Sequence, residues 1–272
     1  MKACLNALLI LFTVIGHGSK AQSLPETTYS PKEQQDDLAF YISKLKRHHP
    51  NLYLYTAAPE FRKFTDSLSL SLTDSLTALE FYQKISTLSS LVKDGHTLML
   101  PGEKITENYN NTSLFLPFQL SLINDSLYVR QDYTIPGSIP EGALVLSINN
   151  KSYTEILEQL YLRQVRDGNN LNYARWILDT YFREYYSYAF GHPEIYTIRY
   201  IFQGLEKSVT INALPKNEIQ HNRTTKYPRT QFIKQPGEGM QLQFGPNNTY
   251  SLLTIKDFHD EVLKTVYMHN FK

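Results

Sequence analysis

The chain has 272 residues, with 27 Lys and Arg against 26 Asp and Glu, a formal charge of +1. Such a balance, with no run of Lys or Arg, argues against a nucleic-acid or anionic-membrane partner. Cys4 is the one cysteine, which excludes a disulfide framework and a thiolate metal site, so an ordinary apolar core must hold the fold.

Residues 1–21 have the pattern of a secretory signal. Lys2 supplies the positive start, residues 8–15 the apolar centre, and Ser19-Lys20-Ala21 a cleavage site with small residues flanking Lys20. The apolar centre is shorter than the roughly 20 residues a membrane-spanning helix needs, so no span is expected once the leader is gone. A secreted or periplasmic setting follows from this reading.

A helical subdomain is expected over residues 22–110. Ser30-Pro31-Lys32-Glu33 is a capping box with proline at the first helical position, and Leu38, Ile42 and Leu45 follow on one face. That helix must stop before Pro50, because His49 precedes a proline. His48 and His49 are no metal pair: adjacent helical residues point about 100° apart, and no partner motif accompanies them. Phe61, Phe64, Leu68 and Leu72 mark a second helix. Residues 67–72 alternate Ser and Leu within it, and their hydroxyls have no nucleophile geometry. Thr77-Ala78-Leu79-Glu80 is another capping box, with Leu76 and Phe81 placed as a hydrophobic staple. Phe81, Ile85, Leu88 and Val92 then share one face, and Gly95 is the expected left-handed end of this third helix. His96 would sit just past the helix end, on a turn before an extended run at 97–100. The negative end of the helix favours a protonated imidazole there.

His96 read by itself fits a structural or surface residue better than a catalytic one. The run Leu91-Val92-Lys93-Asp94-Gly95-His96-Thr97, following His49-Pro50-Asn51-Leu52-Tyr53, resembles the helical N-terminal part of secreted tail-specific, tricorn-like serine peptidases. The resemblance implies that His96 is a general base for a serine held in a later domain, acting on a polypeptide substrate without metal or other cofactor.

From about Asn111 the pattern becomes extended, and 111–214 reads as one module. Residues 113–123 form a strand, Asn124-Asp125 a turn, 126–131 its partner, and 143–148 a further strand closed by Asn149-Asn150. A helix over 154–163 and an aromatic helical insert over 167–191 follow. The insert carries Trp176, Ile177, Tyr181, Phe182, Tyr185 and Tyr186, either packed on the module or exposed as a platform. Strands at 194–201 and 208–214 join at Gln203-Gly204. This order resembles a PDZ domain in its bacterial arrangement, which implies capture of a peptide C-terminus beside the strand carrying Leu116, Phe118 and Leu120. Pro117 stands where a glycine-rich loop would be and removes one N–H donor, so a purely scaffolding sheet remains the alternative.

Residues 215–247 read as a polar linker. Residues 248–272, with a strand at 250–255 and a helix opening at Asp257, resemble the start of a peptidase domain. The expected class is therefore α+β: a helical bundle, a PDZ-like module with a helical insert, and the incomplete beginning of an α/β peptidase domain. On this reading the nucleophilic serine is absent and the chain alone is inactive. The alternative is a non-catalytic peptide-binding protein of the envelope.

Overall fold

The computed structural model describes residues 27–228 and 240–255. The signal at 1–21 and the helix expected from Asp257 lie outside the described residues. By contact the chain divides after Asn222 into two units. The first mixes helix and sheet, as expected for an α+β chain. No helix among the described residues is long and apolar enough to cross a membrane.

The first unit opens with β1 (Thr28–Tyr29) and α1 (Pro31–His48), followed by α2 (Ala58–Leu70), β2 (Leu76–Thr77), α3 (Ala78–Ile85) and α4 (Leu88–Val92). Both capping boxes form: Ser30 and Glu33 close the start of α1, and Thr77 and Glu80 that of α3. β1 pairs antiparallel with β2, tying the start of α1 to that of α3. Two small apolar clusters hold these helices together, one on Leu45, Leu52, Phe61 and Val92, the other on Leu38, Leu72 and Leu88.

The expectation for the third helix needs correction. The third helix is broken, its parts α3 and α4 separated by Ser86 and Thr87, and its left-handed cap is Lys93 (φ 54°, ψ 38°) rather than Gly95. Residues 97–100 contain no helix or turn, and no strand among the described residues pairs with them. A helix the sequence reading did not single out, α5 (Glu103–Thr112), comes next.

β3 (Leu114–Phe115) and β4 (Phe118–Ile123) replace the single strand expected over 113–123. Pro117 lies between them and has no N–H to continue a ladder, so the two halves take different partners. β5 (Ser126–Asp132), β6 (Leu144–Ile148), β7 (Lys151–Ser152), α6 (Tyr153–Tyr161), α7 (Asn172–Phe190), β8 (Ile195–Phe202), β9 (Leu205–Asn212) and β10 (Leu214–Pro215) complete the module. β3 pairs with β10. The main sheet is antiparallel in the order β4-β5-β6-β8-β9, with β7 added on β6. Its turns are those the sequence marks: Asn124-Asp125, Asn149-Asn150 and Gln203-Gly204 all have positive φ at both central residues, the backbone that right-twisted hairpins favour. A further capping box, Ser152 with Glu155, starts α6. One continuous core unites the inner sheet face with α6 and α7, centred on Phe118, Val145, Ile156, Leu178, Phe182 and Tyr196.

The stretch expected as a linker over 215–247 begins with α8 (Lys216–Lys226) and ends with β11 (Met240–Phe244). Its polar composition masked the helix, which buries only Ile219 and Asn222; Asn222 Nδ2 donates to the Tyr133 carbonyl at 2.8 Å. In the second unit β11 pairs antiparallel with β12 (Ser251–Ile255), from Met240 opposite Ile255 to Phe244 opposite Ser251.

Candidate functional site

Three segments far apart in sequence meet around Asp94. The first is the turn after α4. Asp94 organises it by accepting from the Thr97 hydroxyl on its carboxylate, while the Thr97 N–H donates to the Asp94 carbonyl at 3.3 Å and closes the turn. His96 stands at the apex. Its side chain is 97% exposed, and Nδ1 lies 3.7 Å from Asp94 Oδ1, within ion-pair reach but too long for a hydrogen bond.

The second segment follows α1. The Asn51 N–H donates to His49 Nδ1 at 3.2 Å, so the neutral ring carries its proton on Nε2. That nitrogen lies 3.3 Å from Asp94 Oδ2, and the His49 side chain is only 9% exposed. The two are close enough for ion pairing, yet the ring N–H is not aligned for a good hydrogen bond. Thr56 ties the same loop to the end of α4 by donating to the Leu91 carbonyl at 2.7 Å.

The third segment is the loop between α6 and α7. The Gly95 N–H donates to Asp167 Oδ1 at 2.9 Å, the Gly168 N–H to the Lys93 carbonyl at 3.0 Å, and Lys93 Nζ to Asn169 Oδ1 at 3.1 Å. These bonds account for two glycines. A Cβ on Gly95 would lie 2.8 Å from Asp167 Oδ1, so the residue is needed for close approach and not as a helix end. Gly168 has φ +62°, and a Cβ there would meet the Tyr55 ring at 3.0 Å. They also explain how Lys93 is kept left-handed without being glycine: both its carbonyl and its ammonium are held.

The electrostatics centre on Asp94. Partial burial pushes its carboxyl up, but the Thr97 hydroxyl, the His96 backbone N–H and the His49 ring outweigh that and hold it below the usual carboxylate range. An ionised carboxylate thus sits between two imidazoles, one buried and one open. Among the described residues no group of three or more His, Cys, Asp or Glu is placed to hold a metal ion.

The stretch singled out for peptide capture runs through Pro117 into β4, at the edge of the main sheet. Leu116, Phe118 and Leu120 are all buried in the core of the sheet. β4 is an edge strand, but α7 lies along it: Asp179 Oδ1 accepts from the Leu122 N–H at 2.9 Å, and Gln119 Nε2 donates to the Asp179 carbonyl at 2.8 Å. The aromatic residues of α7 divide between two sides. Phe182, Tyr185 and Tyr186 enter the core, while Trp176 and Tyr181 stay exposed.

Nothing in the sequence pairs His49 with Asp94 or Asp167 with Gly95, since these partners belong to different elements. The local spacing Asp94–Thr97 is the part that could be read in advance.

A scan against protein-family models gives no match. No curated protein matches the chain either. Among solved structures, a crystal structure of mature CPAF aligns with a TM-score of 0.46 at 14% identity, covering 67% of this chain and 34% of that one. A crystal structure of a CPAF mutant aligns with a TM-score of 0.47, at 14% identity and the same coverage, 67% and 34%. CPAF is a chlamydial tail-specific-protease-like serine protease. The present chain spans about a third of the length of those structures.

Proposed function

We propose that this chain supplies the base-bearing part of a serine-type peptidase, with His96 as general base and a polypeptide as substrate. The observation that carries the reading is the exposed His96 imidazole at the apex of a turn fixed from both sides, by Asp94 within it and by Asp167 across it. Exposure lets a hydroxyl reach the ring, and the fixed backbone limits where the ring can go. The resemblance of residues 91–97 and 49–53 to tail-specific peptidases supplies the chemistry to which such a placement belongs.

In this reading His96 takes the proton of a serine supplied from beyond the described residues as its Oγ attacks a peptide carbonyl. It then gives that proton to the departing amine. The ionised Asp94 faces Nδ1, so it favours the imidazolium that forms and leaves Nε2 for the serine. His49, buried against the other carboxylate oxygen, keeps Asp94 turned towards this role. The leader pattern at 1–21 supports action outside the cytoplasm, and recovery of a product lacking residues 1–21 would test that point.

A purely peptide-binding role for the sheet module has less behind it. The N–H that β4 turns outward at Leu122 is already taken by Asp179, and the side chains of Leu116, Phe118 and Leu120 are interior.

The test is labelling of the naturally encoded polypeptide by a fluorophosphonate serine probe. His96→Ala is expected to slow labelling by about 10²–10⁴, the usual range for loss of a general base. Unchanged labelling in that variant, with the fold intact, would remove the assignment.

A further inference from the structure

The residues directly after His96 have a backbone edge that no strand among the described residues pairs with. Residues 97–102 contain no helix, turn or bend. Their exposure alternates up to Leu100: Thr97 and Met99 are half-buried, whereas Leu98 and Leu100 are 45% and 53% exposed. That two-residue period is the signature of an extended chain. Leu100 precedes Pro101, which disfavours a helical backbone at Leu100 and keeps the segment straight up to its end.

Alternation also fixes the backbone. In a strand the N–H and C=O of one residue point to one edge and those of its neighbours to the other. The Met99 carbonyl accepts from the Tyr82 hydroxyl at 3.4 Å, and the Thr97 N–H turns back to Asp94. The edge of Thr97 and Met99 therefore faces the protein, and that of Leu98 and Leu100 faces away from it. No hydrogen bond to either leucine's backbone is formed among the described residues. Such a row of unsatisfied groups is a template for one kind of occupant, an extended polypeptide. The β4 edge makes the contrast, since α7 closes it.

We infer that residues 97–100 bind the substrate as an added β-strand, paired through the N–H and C=O of Leu98 and Leu100, so that the bound chain runs past His96. The inference rests on the hydrolase reading for the identity of the occupant, a substrate polypeptide in extended form. The exposed Leu98 and Leu100 side chains lie on one face of the added pair, so the favoured segment places apolar residues at alternate positions on that face. A folded or helical segment cannot pair with this edge, so the bound segment is extended. His96, at the start of the segment, lies beside one end of the bound stretch.

Hydrogen exchange resolved to single amides tests this on the full polypeptide carrying His96→Ala, which prevents turnover. The probe is a blocked, dansylated heptapeptide alternating leucine with threonine. Saturating peptide is expected to slow exchange at Leu98 and Leu100 about tenfold or more, while the bundle amides in α1 stay unchanged. Leu98→Pro removes one donor and should abolish binding, whereas Leu98→Val keeps the N–H and should retain it. Circular dichroism of both variants separates lost pairing from lost fold, and Leu100→Pro repeats the test at the second donor if Leu98→Pro does not fold.

Absence of slowing overturns the proposal. Protection of Leu98 and Leu100 before peptide is added does so equally, because it means the edge is already covered by the protein itself or by a second copy. If the peptide protects the edge while the fluorophosphonate labels nothing in the wild-type protein, strand addition stands and the hydrolase reading falls. Labelling and turnover without protection give the reverse.

Discussion

The sheet module and the helical bundle of the first unit are built to different standards. The sheet, α6 and α7 share one continuous core, whereas α1–α4 divide their apolar side chains between two small clusters. The candidate base stands on the less well-packed side, but its turn is bound to the better-packed side through Asp167 and Gly168. A loop that must meet substrate gains reach from the bundle and position from the module.

That contrast is broken most sharply by deleting core volume. Phe118→Ala removes a fully buried ring from the sheet core and should cost about 3–5 kcal/mol, measured by denaturant unfolding. A cost below about 1 kcal/mol would mean that this core collapses around the gap, against the close packing assumed for it. Native-state exchange should show α1–α4 opening below the global free energy and β5 and β6 opening with it, and equal opening energies would erase the comparison.

The clamp between the two regions comes next in size. Gly95→Ala places a methyl 2.8 Å from Asp167 Oδ1, closer than side-chain atoms tolerate. A cost of about 1–3 kcal/mol is expected, as for other overpacked positions, with a parallel drop in the rate of any reaction carried by His96. Full activity in this variant would show that the turn does not depend on Asp167.

Smaller effects sharpen the picture at the edges. Thr77→Ala removes the hydroxyl that caps α3 and should cost about 1 kcal/mol, seen as a lower unfolding midpoint. Asp94 sets a pH dependence. Its folded pKa is lowered from the ordinary 3.8, so the stability it contributes is present above that value and is lost as pH falls through the folded one. Asp94→Asn should flatten the acid limb of a stability-against-pH curve, and an unchanged limb would place the titration elsewhere.

Much of the scaffold was legible from local rules. The capping boxes at Ser30 and Thr77 name two helix starts because their bonds span only three residues. The turns at Asn124-Asp125, Asn149-Asn150 and Gln203-Gly204 fix the hairpins because few residues accept positive φ. Local rules also misled. Gly95 was the obvious helix end, but the left-handed residue is Lys93, stabilised by Gly168 and Asn169 some 75 residues later. The polar sequence after Leu214 hid α8, whose helical face buries only two side chains. In the site itself, His96 and Thr97 could be read from one short run. The contacts of Asp94 with His49 and of Gly95 with Asp167 could not, since tertiary packing brings them together.

The most direct measurement is site-resolved carbethoxylation of the histidines by diethyl pyrocarbonate, followed by peptide mass spectrometry. His96, open on its turn, should react at least about tenfold faster than His49, which is held against Asp94 with its side chain 9% exposed. A His96 protected as strongly as His49 would mean that no hydroxyl can reach the ring, and would contradict its role as a base.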